Sequence, residues 1–264
     1  MSRHRPRSAP HPRHGIQPAD APLLAQRRHQ RQLPGGMPEG NGVSGGTWRA
    51  VLFDLDGTLI DSAPDLGEAA NELRATRGLS ALPLSDYRPL TGTGARGMVG
   101  VALGIGPDDV HFESIRDEYL ALYEARMTRL TQVFTDMRPV LDRLDTLGIA
   151  WGIVTNKHSR FAQPVVEAVG LAHRSRVLIC GDTAARAKPH PDPLLEAARQ
   201  LRVEPSACAY VGDDLRDVQA GRAAGMVTVA AAWGYLGLGE AIADWGADHL
   251  IDTPAELLKL AAMA

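Results

Sequence analysis

Two aspartates, Asp54 and Asp56, stand one residue apart where the apolar run Ala50-Val51-Leu52-Phe53 stops and Gly57-Thr58-Leu59 begins. Buried neighbouring carboxylates raise one another's pKa unless a cation sits between them. The spacing therefore asks for a metal ion. A metal beside a free carboxylate in turn asks for an anionic substrate such as a phosphate. In that chemistry Asp54 attacks phosphorus as a nucleophile. Asp56 gives a proton to the leaving oxygen and later takes one from water. Asp, Gly and Thr also build ordinary turns, so the pair needs support from the rest of the chain.

Three further signals supply it. Thr155-Asn156-Lys157 follows the apolar run Gly152-Ile153-Val154. A hydroxyl and a backbone amide there suit phosphoryl oxygens, although Thr and Asn equally cap helices. Next comes Lys188, ahead of Pro189-His190-Pro191-Asp192. The chain has 28 basic residues but only three lysines, Lys157, Lys188 and Lys259. In an arginine-rich chain a surviving lysine marks a place that needs a compact ammonium rather than a planar fork. Lys188 is read as neutralising Asp54 and the transferring phosphoryl group. The last signal is Gly212-Asp213-Asp214-Leu215-Arg216-Asp217. Asp213 is read as an oxygen ligand for Mg²⁺, which takes few carboxylates plus waters and substrate oxygens. Asp217 or Asp214 would orient Lys188 or a metal-bound water, or open a helix.

These signals need elements that bring them to one rim. Strand-like segments fall at 50–53, 149–154, 177–180, 207–211, 227–231 and 249–251, and helical patterns at 138–147, 161–169, 192–201 and 215–224. Such alternation predicts an α/β fold, a doubly wound parallel sheet of Rossmann-like form. Chemistry in such sheets gathers at the carboxyl ends of the strands, where all four signals lie. Between 63 and 135 the alternation gives way to helical patterns at 65–77, 95–103 and 108–126. This predicts a small helical cap inserted after the first strand, with the catalytic core at 47–62 and 136–264. Leu66, Ala69, Ala70 and Leu73 share one face of the first cap helix.

Composition narrows the function classes. The chain has 264 residues and a net charge of −3. Residues 1–46 hold seven arginines against Asp20 and Glu39, show no apolar periodicity, and read as a disordered basic tail. The remainder then carries −8, a poor match to nucleic acid. No apolar run approaches a membrane span. Cys180 and Cys208 each sit in a strand-like stretch and read as buried thiols, which fits a reducing cytosol. Oligomeric state is left open.

The four signals, in this order, resemble the haloacid-dehalogenase superfamily of phosphatases, from about Arg49 to the carboxyl end. The resemblance implies an aspartyl-phosphate intermediate on Asp54. It also implies Mg²⁺ held by Asp54, the backbone carbonyl of Asp56, and Asp213, with Thr155 and Lys188 at the second and third motif positions. Within the family the chain is most similar to bacterial phosphoglycolate phosphatases and to relatives acting on N-acetylmuramic acid 6-phosphate. Thr91-Gly92-Thr93-Gly94-Ala95-Arg96-Gly97-Met98-Val99 carries that likeness in the cap. Gly94, Arg96 and Asn156 are its candidate substrate contacts, with Arg96 offered to a carboxylate. The expected partner is a small phosphate ester. Asp214 departs from the serine common there, and its role stays open.

Single residues separate related chemistries. A dehalogenase does not need the second acid, and Asp56 is present. A phosphonate-cleaving relative needs a cap lysine, and 63–135 contains none. A sugar-phosphate mutase uses the same first motif and remains an alternative. A non-catalytic binding module would carry decayed motifs, and none is decayed.

Overall fold

The computed structural model describes residues 48–263; the stretch read as a tail, 1–46, lies outside them. Eight strands occur in this part: β1 (Ala50–Phe53), β2 (Ile60–Asp61), β3 (Gln132–Val133), β4 (Ala150–Val154), β5 (Leu178–Ile179), β6 (Cys208–Gly212), β7 (Val227–Ala231) and β8 (His249–Ile251). Six form one parallel sheet in the order β5-β4-β1-β6-β7-β8. β1 is apolar throughout and fully buried, as a strand covered on both faces must be. Its side chains alternate between two cores. Val51 and Phe53 join Trp151, Ile153 and Val211 on one face, while Ala50 and Leu52 join Val154 and Tyr210 on the other.

Helices cover both faces. They are α1 (Ala63–Ala75), α2 (Leu84–Tyr87), α3 (Gly94–Leu103), α4 (Phe112–Glu124), α5 (Met137–Leu147), α6 (Ser159–Ala168), α7 (Asp192–Leu201), α8 (Leu215–Ala223) and α9 (Glu256–Met263). The chain moves outward from β1 to β4 and β5, then returns through α7 to β6 on the other side of β1. Strand order reverses at β1, so the carboxyl ends of β1, β4 and β6 flank the crevice where ligands bind in such sheets. Among the described residues no helix is long and apolar enough to cross a membrane. Both cysteines are buried and unpaired.

Helices α1 to α4 form an insertion between β1 and β4. The apolar face expected for α1 is buried as Leu66, Ala69, Ala70 and Leu73. One feature departs from the sequence reading. No strand was expected near 132, yet β3 pairs antiparallel with β2 and closes the neck of the insertion. Two-residue strands show no alternation, so their pairing is invisible to periodicity. Asp65 of α1 reinforces the neck by accepting hydrogen bonds from the N–H groups of Leu130 and Thr131 and from the Thr131 hydroxyl. Neither α2 nor α9 has a counterpart in the sequence reading.

Candidate active site

Asp54 leaves the end of β1 with its N–H bonded to the Val211 carbonyl of β6, 2.9 Å away. Lys188 reaches it from the turn before α7. The Lys188 Nζ lies 2.9 Å from Asp54 Oδ1, 2.7 Å from Asp217 Oδ1 and 2.7 Å from the Tyr210 hydroxyl. Burial works against the Lys188 charge, but Asp217 and Asp54 outweigh it and lift the ammonium above its ordinary value. Asn156, expected on substrate, has its carboxamide engaged otherwise: it exchanges two 2.9 Å hydrogen bonds with the backbone N–H and carbonyl of Lys188.

Asp213 follows β6 and lies beside this pair. Its Oδ1 accepts from the Thr58 hydroxyl at 2.7 Å, and its Oδ2 accepts from the Tyr235 N–H at 2.8 Å. Gly57 is forced here: at φ 88° a Cβ would lie 2.2 Å from Asp213 Oδ2. The loop after β7 holds both motifs. Besides the Tyr235 contact, Trp233 donates to the Thr58 carbonyl at 3.0 Å, and the Tyr235 hydroxyl accepts from the N–H groups of Ser62 and Ala63. Tyr210 was not singled out from sequence; its role depends on long-range packing that no local spacing reveals.

Three carboxylates, from Asp54, Asp213 and Asp217, bring oxygens within 4.8 Å of one another. Burial, partly offset by Lys188, pushes Asp54 up to about 6. Burial and then the Asp54 and Asp217 charges push Asp213 well above the usual carboxylate range. A divalent cation relieves that repulsion, and an all-oxygen set suits Mg²⁺. Asp217 is already committed, with Oδ1 on Lys188 and Oδ2 accepting from the Asp214 N–H at 3.1 Å. That leaves Asp54 and Asp213 as the carboxylates to hold an ion. Of the two acids expected to orient Lys188, Asp217 touches it. Asp214 instead caps α8 and binds Arg216 through both oxygens, at 2.7 and 2.8 Å.

Asp56 faces the other side of the crevice. Lys157 Nζ lies 3.0 and 3.1 Å from its two oxygens, and Ser62 Oγ donates to Oδ1. Thr155 is buried, with Oγ1 accepting from the Lys157 N–H at 3.1 Å.

A cavity of about 430 Å³ opens over these residues, between the strand ends and the insertion. Asp54, Asp56, Thr155, Asn156, Lys188 and Asp213 line its floor, and Gly94 lies in its wall. Arg96 does not reach it. Arg96 is exposed and lines a neighbouring depression with Leu236 and Trp245. In the first turn of α3 its direction is set by how α3 packs, which loop composition does not encode. Arg160 and Arg216 line the cavity instead.

The family model for haloacid dehalogenase-like hydrolases matches residues 48–225. The chain belongs to this family. It is 42 % identical over 212 residues to the N-acetylmuramic acid 6-phosphate phosphatase of Pseudomonas aeruginosa, covering 80 % of this chain and 94 % of that protein. It is 46 % identical over 215 residues to the phosphoglycolate phosphatase of Xanthomonas campestris pv. campestris, covering 81 % and 96 %. The crystal structure of a predicted phosphoglycolate phosphatase from Haemophilus somnus superposes with a TM-score of 0.71 at 25 % identity, over 81 % of this chain and 98 % of that one. Within its family the chain is a phosphatase.

Proposed function

We propose that the chain hydrolyses a small carboxylated phosphate monoester through a phosphoryl group carried on Asp54. The observation that carries this reading is Lys188 Nζ, 2.9 Å from Asp54 and 2.7 Å from Asp217, with the Asp213 carboxylate beside the pair. Asp54 Oδ2 attacks phosphorus as the ester oxygen departs with a proton from Asp56. Asp56 then takes a proton from water, which attacks the phosphoryl group and frees Asp54. Lys188 offsets the negative charge on the phosphoryl oxygens in both steps. Thr155 presents its hydroxyl to the same oxygens. Asp54, Asp213 and the Asp56 carbonyl would hold Mg²⁺, which when bound supplies positive charge against the phosphoryl oxygens. The helical insertion acts as the cap that shields this chemistry from water, and the unpaired buried thiols fit a cytosolic setting.

The carboxylate of the substrate needs a cation other than Arg96. Among the cations lining the cavity, Lys157, Lys188 and Arg216 are each spent on internal acids. The Arg160 guanidinium makes one side-chain hydrogen bond, 2.9 Å from Nη2 to Glu124, and lies over the Phe161 ring, 4.4 Å from its centroid. Its remaining donors suit a bidentate carboxylate. Arg160→Ala should lower kcat/KM for carboxylated esters on the order of tenfold, the scale of a lost charged hydrogen bond, and leave p-nitrophenyl phosphate nearly unchanged. Arg96→Ala should change neither. Equal losses on both esters in Arg160→Ala would remove Arg160 from recognition.

A second reading concerns size. The cavity of about 430 Å³, walled by Leu66, Tyr119, Tyr123 and Phe161, exceeds what a two-carbon acid phosphate fills. It favours a sugar acid such as N-acetylmuramic acid 6-phosphate. Parallel kcat/KM measurements with that ester and with 2-phosphoglycolate, with Mg²⁺ and with chelator, decide between the two. Failure to hydrolyse either ester with Mg²⁺ would overturn the proposal.

A further inference from the structure

Of the two lysines that fall in motifs, Lys188 is used by the mechanism above and Lys157 is not. Lys157 nevertheless is as tightly built in. Its side chain is 8 % exposed. Its Nζ sits 3.0 Å from Asp56 Oδ1 and 3.1 Å from Asp56 Oδ2, so the ammonium bridges both oxygens. Its other side is covered by the Tyr123 ring of α4, whose centroid is 4.9 Å away. Tyr123 is in turn buttressed by Phe161 of α6, ring centroids 5.5 Å apart. The backbone of Lys157 is fixed by the Thr155 hydroxyl. A compact ammonium fits between a carboxylate and a ring where a planar guanidinium would need more room.

We propose that Lys157 is a positioning residue. It fixes the Asp56 carboxyl group on the side of the crevice where the ester oxygen departs, and the Tyr123 ring keeps the lysine seated. Ser62 alone, donating to one Asp56 oxygen, leaves the carboxyl free to rotate about its last bond. Proton delivery requires the donor within hydrogen-bond reach of the leaving oxygen, so rotation out of line weakens that step as well as the later proton transfer from water to Asp56. No bond to Lys157 forms or breaks.

This inference rests on the phosphatase reading with Asp56 as proton donor. Its signature is a dependence on the leaving group. An alkoxide leaves poorly and needs the proton, whereas p-nitrophenolate leaves without help. The quantity to compare is kcat/KM, which covers the steps up to leaving-group departure and is blind to later hydrolysis of the phosphorylated enzyme. Lys157→Met should lower kcat/KM for 2-phosphoglycolate or N-acetylmuramic acid 6-phosphate, whichever wild type hydrolyses, by about 100-fold, the lower range of general-acid contributions. The loss on p-nitrophenyl phosphate should be at least about tenfold smaller. Asp56→Asn, run alongside, should show the same asymmetry in stronger form.

If Lys157→Met melts below the assay temperature, Lys157→Arg replaces it and should show the same asymmetry at a smaller size. Equal losses on both esters in the Lys157 variant, or no loss on the alkyl ester, would overturn the positioning role while Asp56→Asn keeps its asymmetry. Loss of the asymmetry in Asp56→Asn itself would instead overturn the assignment of Asp56, and with it the basis of this inference.

Discussion

Asp54→Asn should abolish turnover, with kcat reduced by at least about four orders of magnitude, the scale on which removal of a covalent nucleophile acts in other hydrolases. The amide nitrogen cannot carry the phosphoryl group, and the oxygen it retains is a poor nucleophile. The fold should survive. Asp54 Oδ1 takes a single hydrogen bond from Lys188, which an asparagine carbonyl oxygen can still accept, and the backbone bond to Val211 is untouched. The melting temperature should stay within a few degrees of wild type. Steady-state assay at saturating ester, with circular dichroism to check the fold, measures both. Residual activity within about a hundredfold of wild type would remove Asp54 from the nucleophile's role.

Lys188→Met should damage both activity and stability. The wild-type ammonium stands between Asp54 and Asp217 with its side chain 3 % exposed. Removing one partner of a buried ion pair costs about 3–5 kcal/mol because the remaining charge is left uncompensated. In a chain of this size that corresponds to a fall in melting temperature of roughly 10 °C. The sign of the pH dependence follows from the acids. Burial already holds Asp54 at about 6 in the folded state, above its ordinary 3.8. Loss of the Lys188 charge, which lowers it, pushes Asp54 further up. The folded variant then binds more protons than the unfolded chain across this range, so its stability falls as pH rises. The deficit against wild type should therefore be larger at pH 7.5 than at pH 5. A thermal melt series over that range checks this, and a deficit that shrinks as pH rises would contradict the buried-charge account.

How much of this was legible beforehand follows from what local sequence can encode. Asp54, Thr155, Lys188 and Asp213 meet because each follows a strand of one parallel sheet, and strand ends in such a sheet share a rim. Apolar runs bounded by Gly, Asp and Thr mark those ends without any knowledge of packing. The scarcity of lysine pointed to Lys157 and Lys188 as special, and both reach buried carboxylates. What could not be read was anything decided by how the insertion seats on the sheet. Arg96 faces a different depression because α3 packs with Met98, Val99 and Ala102 inward. Arg160 lines the cavity from α6 while bonded to Glu124 of α4, a pairing across distant elements. The ribbon of β2 and β3 is too short for any periodic signal, and Tyr235 reaches Asp213 from 22 residues away in sequence.

The central claim is that phosphorus passes through Asp54. Rapid acid quench of the Mg²⁺-loaded enzyme during turnover, followed by proteolysis and mass spectrometry, tests it directly. The account predicts one phosphoryl group on the peptide carrying Asp54, labile to hydroxylamine as an acyl phosphate must be, and absent from Asp54→Asn. A phosphoryl group on another residue, or turnover without any phosphorylated peptide while product forms in a burst, would contradict it.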